Sequence, residues 1–180
     1  MFPNVLDDLG QMNGCEFGTC FSQHDARGDF RKIIDARFFE HNPDDVIREV
    51  FLNHSMRGVV RGFHLQWPPA AHSKMIACVS GRFFDVLLDL RRSSPTYKWF
   101  AIQEMRPGQF AYVPKGIAHA FQALEDGSTM LYATTSVHAP AFDGGVNPMS
   151  CAIEWPIAEV IVSDRDRSLP PLDALDSPFD

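Results

Sequence analysis

Two stretches of this chain carry side chains that can move protons. Arg61-Gly62-Phe63-His64-Leu65-Gln66 is followed, eight residues after Gln66, by Lys74. Pro114-Lys115-Gly116-Ile117-Ala118-His119-Ala120-Phe121 leads on to Tyr132. A histidine base, an ammonium and a phenol on strands that share one pocket make a definite set of parts. They suffice to take a proton from a carbon beside a ketone, hold the resulting enolate, and return the proton.

The elements that must position these groups read as short β segments. Residues 46–53, 58–66, 74–79, 82–90, 97–104, 109–113, 119–124 and 129–135 are each of strand length. Most are rich in β-branched or aromatic residues with partial alternation. Ser80-Gly81 and Asp126-Gly127 carry hairpin-turn signals, and Arg106-Pro107-Gly108 is another turn. Strands of this kind without a repeated unit predict an all-β jelly roll or small barrel in one domain. Residues 1–22 are expected to form an extended or weakly helical arm and residues 23–162 the jelly roll. Residues 163–180 read as a polar, proline-bearing tail with at most a short helix near 172–175.

Bulk composition narrows the function classes. A chain of 180 residues that is 45% hydrophobic can bury a real core. Sixteen basic against twenty-three acidic residues, a net charge of −7, speaks against nucleic acid or an anionic membrane as the main partner. A local group of arginines can still hold a small anionic ligand. Residues 1–13 lack a basic residue and carry Asp7-Asp8, unlike a secretory signal. No window approaches the roughly 18 apolar residues of a spanning helix, so a cytoplasmic protein is expected. Cys15, Cys20, Cys78 and Cys151 form no CxxC pair and are expected as free thiols. Without a secretion signal, the glycosylation pattern Asn53-His54-Ser55 is a coincidence.

Further motifs stand in a specific order around the two stretches. They are Asp25-Ala26-Arg27-Gly28, Asn53-His54-Ser55, Gly58-Val59-Val60 before Arg61, Asp85-Val86, Asp89-Leu90-Arg91 and Ser93-Ser94-Pro95-Thr96, then Thr135 after Tyr132, Trp155-Pro156 and Ser163-Asp164-Arg165-Asp166. With these motifs, residues 25–172 resemble the dTDP-4-dehydrorhamnose 3,5-epimerase family, metal-free cupins acting on nucleotide-linked 4-keto sugars.

The resemblance implies a jelly roll, in a homodimer whose N-terminal strands exchange between subunits. It implies His64 as the base and Asp166 as the carboxylate that orients it. Lys74 would stabilise charge on the ketone oxygen, and His119 would orient or polarise the ketone. Tyr132 would be the acid on the face opposite His64. Arg61 and Arg27 match positions near the nucleotide or sugar, where a planar fork suits phosphate oxygens. Asn53, Gln66 and His138 complete the expected substrate-binding set. Arg57, Arg91 and Arg92 read as surface charges, and Phe21, Phe30 and Trp67 as packing residues able to stack on a base. No cofactor or metal is expected: metal-binding cupins want His-x-His early in the barrel, and here the sequence is His64-Leu65-Gln66 with a cation at Lys74.

The match breaks at four places. Lys32 replaces a family carboxylate, Phe51 a glutamine, His138 a second pocket tyrosine, and Ala120 a glycine. The first two fall on the nucleotide side, so the base is left open. Three alternatives accompany the epimerase reading: a sugar-nucleotide 3,4-ketoisomerase, a metal cupin, and a non-catalytic sugar-nucleotide-binding protein.

Overall fold

Residues 83–89 and 117–123 are apolar at odd and even positions alike, and the fold buries both faces of the strands they form. The structure, a computed structural model, describes residues 4–34 and 45–180; the first three residues of the expected arm and residues 35–44 of the expected jelly roll lie outside it. One sheet runs in the order β1 (Val5–Leu6), β9 (Phe100–Met105), β8 (Phe83–Asp89), β11 (Ile117–Ala123), β6 (Val60–Gln66), β13 (Asp143–Gly145). A second runs β2 (Glu16–Thr19), β10 (Gln109–Val113), β7 (Lys74–Ser80), β12 (Ser128–Thr134), β5 (Glu49–Ser55). β3 (Phe21–Asp25) and β4 (Gly28–Lys32) pair with each other as an exposed hairpin. Among the described residues no helix is long and apolar enough to cross a membrane.

The eight expected strands are all present, with ends displaced by at most three residues. Their connections differ from expectation. Ser80-Gly81 and Asp126-Gly127 do not close hairpins; each carries the chain from one sheet to the other, as does Arg106-Pro107-Gly108. A local turn signal fixes a reversal but not the partner strand, and here the partner is chosen by burial. Phe83, Leu87, Ile117 and Phe121 of the first sheet pack against Ile76, Cys78, Val113 and Met130 of the second. The opposite face of the first sheet, with Val86, Leu88 and Ala118, is covered by Val146, Ile153 and Phe179 from the C-terminal part. The outer face of the second, at Met75, Tyr112 and Ala133, lies under Ile33, Ile34 and Ile47.

Residues 5–19, expected as part of an arm, join the edges of both sheets. β1 pairs parallel with β9, a 3-10 turn at Leu9–Gln11 is capped by Asp8, and β2 pairs with β10. Leu9 and Met12 lie fully buried between the sheets. The tail forms the expected turn at Leu172–Ala174 and, unexpectedly, a short helix α1 (Asp164–Ser168). Ser163 caps α1 by accepting the Asp166 N–H.

One irregularity matters for all that follows. In the β6–β11 pair His64 lies opposite His119, but Arg61 lies opposite Phe121, so two residues of β6 face one of β11. This bulge breaks the period of two. Arg61 and His64, three apart, would otherwise point to opposite faces; here both line the same cleft. Gly62 has a φ of +117°, and a Cβ there would meet His119 O at 2.5 Å and Ala120 Cα at 2.6 Å. The space left by its missing side chain is filled by the neighbouring strand. Gly62→Ala is therefore expected to destabilise the fold by about 3 kcal/mol, from backbone strain and overpacking together. Urea unfolding of parent and variant would measure it.

Candidate active site

A cleft of about 350 Å³ opens between the sheets at the bulge. From the first sheet it receives Arg61, His64, Gln66, His119 and Asp143; from the second it receives Phe51, Asn53, Lys74 and Tyr132. Arg165 of α1 and His138 lie at its rim.

His64 Nε2 is 2.7 Å from Asp166 Oδ1, and Asp166 Oδ2 accepts the Gly62 N–H at 3.2 Å. Arg165 Nη1 stands 2.8 Å from the same His64 nitrogen and 3.3 Å from Asp166 Oδ1. A carboxylate only accepts and a guanidinium only donates, so Nε2 can serve one of the two, and the shorter contact, at 2.7 Å, assigns Nε2–H to Asp166. That leaves the lone pair on Nδ1. Burial pushes the Asp166 carboxyl up, but His64, the Gly62 N–H and Arg165 outweigh it and hold the group below its ordinary value. Asp166 is thus a firmly ionised partner that fixes the imidazole.

Lys74 is buried, and among the described residues its ammonium makes one hydrogen bond, to the His64 carbonyl at 3.0 Å. Desolvation lowers its pKa to about 8, against the pull of Asp143 and Asp85. Tyr132 sits on β12 between two rings. Phe51 stacks on it at 4.8 Å and 4° from parallel, and His119 lies 5.8 Å away. Burial drives its phenol far above the ordinary value, while a hydrogen bond from the Asn53 side chain opposes this. If Asn53 donates to the phenolic oxygen, the O–H itself is left to point into the cleft. His119 Nε2 is 2.9 Å from Asp85 Oδ2, whose carboxylate is fully buried and whose second oxygen has no partner among the described residues.

The cleft thus brings together His64, Lys74, Tyr132, His119, Arg61, Asn53 and His138 from the expected set, with Asp166 buried behind the His64 ring. Two residues behave otherwise. Arg27 stands at the tip of the β3–β4 hairpin, 90% exposed and paired with Asp25 at 2.6 Å, outside the cleft of its own chain. Gln66 lines the wall, but its amide is committed to bracing loops: it donates to Ala70 O and Ser136 Oγ and accepts from Ala139 N.

Sequence reasoning missed Asp85, Asp143, Arg165, His72 and Glu49. Asp85 was signalled by a carboxylate between Phe83 and Leu87 on an inward-facing strand position. Asp143 lies on a glycine-rich edge strand that shows no pattern, where it accepts from Arg165 Nη2 at 2.6 Å. His72 Nδ1 accepts from Ser136 Oγ at 3.1 Å, and burial next to Lys74 lowers its pKa to about 3. It is a neutral ring in the cleft wall. Among the described residues no three His, Cys, Asp or Glu side chains converge as metal ligands would.

The two walls of the cleft thus set an imidazole–carboxylate pair against a phenol and an ammonium. The family model for dTDP-4-dehydrorhamnose 3,5-epimerase matches residues 11–174. The chain belongs to that family. A dTDP-4-dehydrorhamnose 3,5-epimerase of Mycolicibacterium smegmatis is 39% identical over 155 residues, 82% of this chain and 76% of the relative. The crystal structure of dTDP-4-dehydrorhamnose 3,5-epimerase from Sulfolobus tokodaii superposes with a TM-score of 0.85 at 33% identity, covering 93% of this chain and 95% of that one. The 3'-monoepimerase ChmJ of Streptomyces bikiniensis, solved with dTDP-quinovose, gives 0.84 at 30% identity over 96% and 88% of the two chains.

The buried ammonium has a consequence for stability. Lys74→Met removes a desolvated charge and is expected to leave the fold at neutral pH as stable as the parent or more so. The parent should gain on the variant as pH rises above about 8, because there the unfolded chain retains a proton that the folded chain has released. Unfolding midpoints of both proteins from about pH 7 to about pH 10 would test the slope.

Proposed function

We propose that this protein epimerises a nucleoside-diphosphate 4-keto-6-deoxy sugar, inverting carbon 3, carbon 5 or both through an enolate. The observation that carries the reading is the placement of His64 and Tyr132 on opposite sheets across one cleft. A sugar ring held between them offers one face to the imidazole and the other to the phenol, which is what inversion of a carbon requires.

His64 Nδ1 takes the proton from the carbon beside the ketone. Asp166 stabilises the imidazolium that forms. The electron pair of the broken C–H bond becomes the enolate double bond, and charge gathers on the carbon 4 oxygen. Lys74, with His119 close by, meets that charge, which is larger in the transition state than in the ketone. Tyr132 then gives its proton to the far face. The substrate's own ketone is the electron sink, so no redox cofactor enters the scheme. Arg61, whose guanidinium bonds Ser55 Oγ and the His54 carbonyl at the cleft edge, and Asn53 are assigned to the substrate's polar groups.

The reading extends to assembly. The β3–β4 hairpin stands clear of its own chain's cleft, with Phe21 and Phe30 exposed. We assign it to the cleft of a second copy, in a cytoplasmic homodimeric cupin jelly roll, where Arg27 would reach the diphosphate.

The reaction is tested by incubating the protein in heavy water with dTDP-linked 4-keto-6-deoxy sugars and following deuterium by NMR. Uptake at carbons 3 and 5 with inversion is expected for a double epimerase, and at carbon 3 alone for a single one. A shifted carbonyl would make the protein a ketoisomerase, and binding without any uptake would make it a binding protein. His64→Ala should lower the exchange rate about 10²–10⁴-fold. Tyr132→Phe should retain exchange while losing inversion. The rate should fall as pH rises through about 8, because Lys74 then loses the proton that holds the enolate; a rate flat to about pH 10 would remove Lys74 from that role.

A further inference from the structure

Phe51 and Tyr132 are direct partners in the β5–β12 ladder, and their rings stack almost in parallel. β5 is the outer strand of its sheet, so Phe51 has one face on Tyr132 and remains 40% exposed, whereas Tyr132 is 7% exposed. A phenylalanine exposed on an edge strand adds little to the core and invites unwanted pairing. Its neighbours Val50 and Leu52 point elsewhere on the strand, by the period of two. Phe51 alone of the three lines the cleft. What the position achieves in this chain is the stack. With His119 beside the same phenol and Asn53 on its oxygen, the stack fixes the plane in which the O–H can swing.

We propose that Phe51 is a positioning residue for proton return: by holding the Tyr132 ring against the far side of the cleft, it sets how often an enolate is reprotonated with inversion rather than restored to substrate. The inference rests on the acid–base reading above. Once His64 has taken a proton, the enolate carbon has two possible donors. Tyr132 delivers to the opposite face and gives the inverted carbon. The His64 imidazolium delivers to the original face and gives back the starting sugar, labelled if the imidazolium has exchanged with heavy water. A phenol free to rock slows the first branch and leaves the second untouched, since Phe51 lies on the sheet opposite His64.

The test is the ratio of deuterium in recovered substrate to inverted product, measured by NMR with a dTDP-linked 4-keto-6-deoxyhexose in heavy water. Phe51→Ala should raise that ratio about tenfold or more, as misplacement of a donor by a fraction of an ångström does. Phe51→Tyr, which keeps the stack, should restore the parent ratio. In a Tyr132→Phe background, which makes no inverted product, Phe51→Ala should leave the rate of deuterium uptake into recovered substrate unchanged. A merely structural role would lower exchange and inversion together and leave the ratio unmoved; that result, or a Phe51→Ala protein indistinguishable from the parent, would overturn the proposal. A parent that exchanges no deuterium defeats the acid–base reading itself, a result separable from either.

Discussion

One carboxylate organises this molecule. Asp166 accepts the Gly62 N–H with one oxygen and faces the His64 ring with the other. It thereby pins both the bulge that turns His64 into the cleft and the ring that the bulge delivers. Hydrogen bonds to an ionised group are worth about 1.5–3 kcal/mol each. The pin itself depends on α1, a helix of five residues that could not persist alone. The Ser163 cap and the packing of Leu172, Leu175 and Phe179 on the outer face of the first sheet hold it in place. The polar tail is therefore part of the site. Loosening it would free the bulge and the imidazole together.

Charge in the cleft is arranged in the opposite spirit. Where His64 has a carboxylate in contact, Lys74 has none among the described residues and feels Asp143 and Asp85 only at a distance. Asp143 is in turn committed to Arg165, and Asp85 to His119. An ammonium already paired with a carboxylate would have little attraction left for a new oxyanion. A buried, under-paired one has much, and its discomfort is visible in its lowered pKa. The differential favours the charged intermediate over the ketone, which is the condition for a rate effect rather than mere binding. Neutral His72 in the adjoining wall fits the same economy, since a second cation beside Lys74 would lower its proton affinity further.

The strands and most of the cleft were legible because they rest on short-range pattern: alternation gives strands, and motif order gives the residues. What was not legible depends on which sheet a strand joins. Ser80-Gly81 and Asp126-Gly127 carry hairpin chemistry, yet each bridges two sheets, a choice made by burial of Phe83, Leu87 and Met130. β1 has two residues and β13 three, both too short to alternate, and they are held by neighbours distant in sequence. α1 was missed because its apolar content is nil, although Ser163 followed by acids and then arginines is a capped-helix signature. The motif position of Gln66 does not reveal that its amide also braces Ala70, Ser136 and Ala139.

The departures from the family pattern do not fall together in space, and that separation is informative. Phe51 lies against the phenol, inside the chemistry. His138 is exposed at the rim, its N–H on Glu49. Lys32 is on the hairpin, over the Phe21 ring at 5.7 Å. Where the hairpin's arginines are already answered, Arg27 by Asp25 and Arg31 by Asp29, Lys32 adds a cation held against an aromatic face. Exchanging a carboxylate for an ammonium there changes local charge by two units without touching His64, Lys74 or Tyr132. The exchange at Lys32 thus alters the charge of the hairpin alone, while the bulge, the buried ammonium and the stacked phenol are set by other elements of the fold.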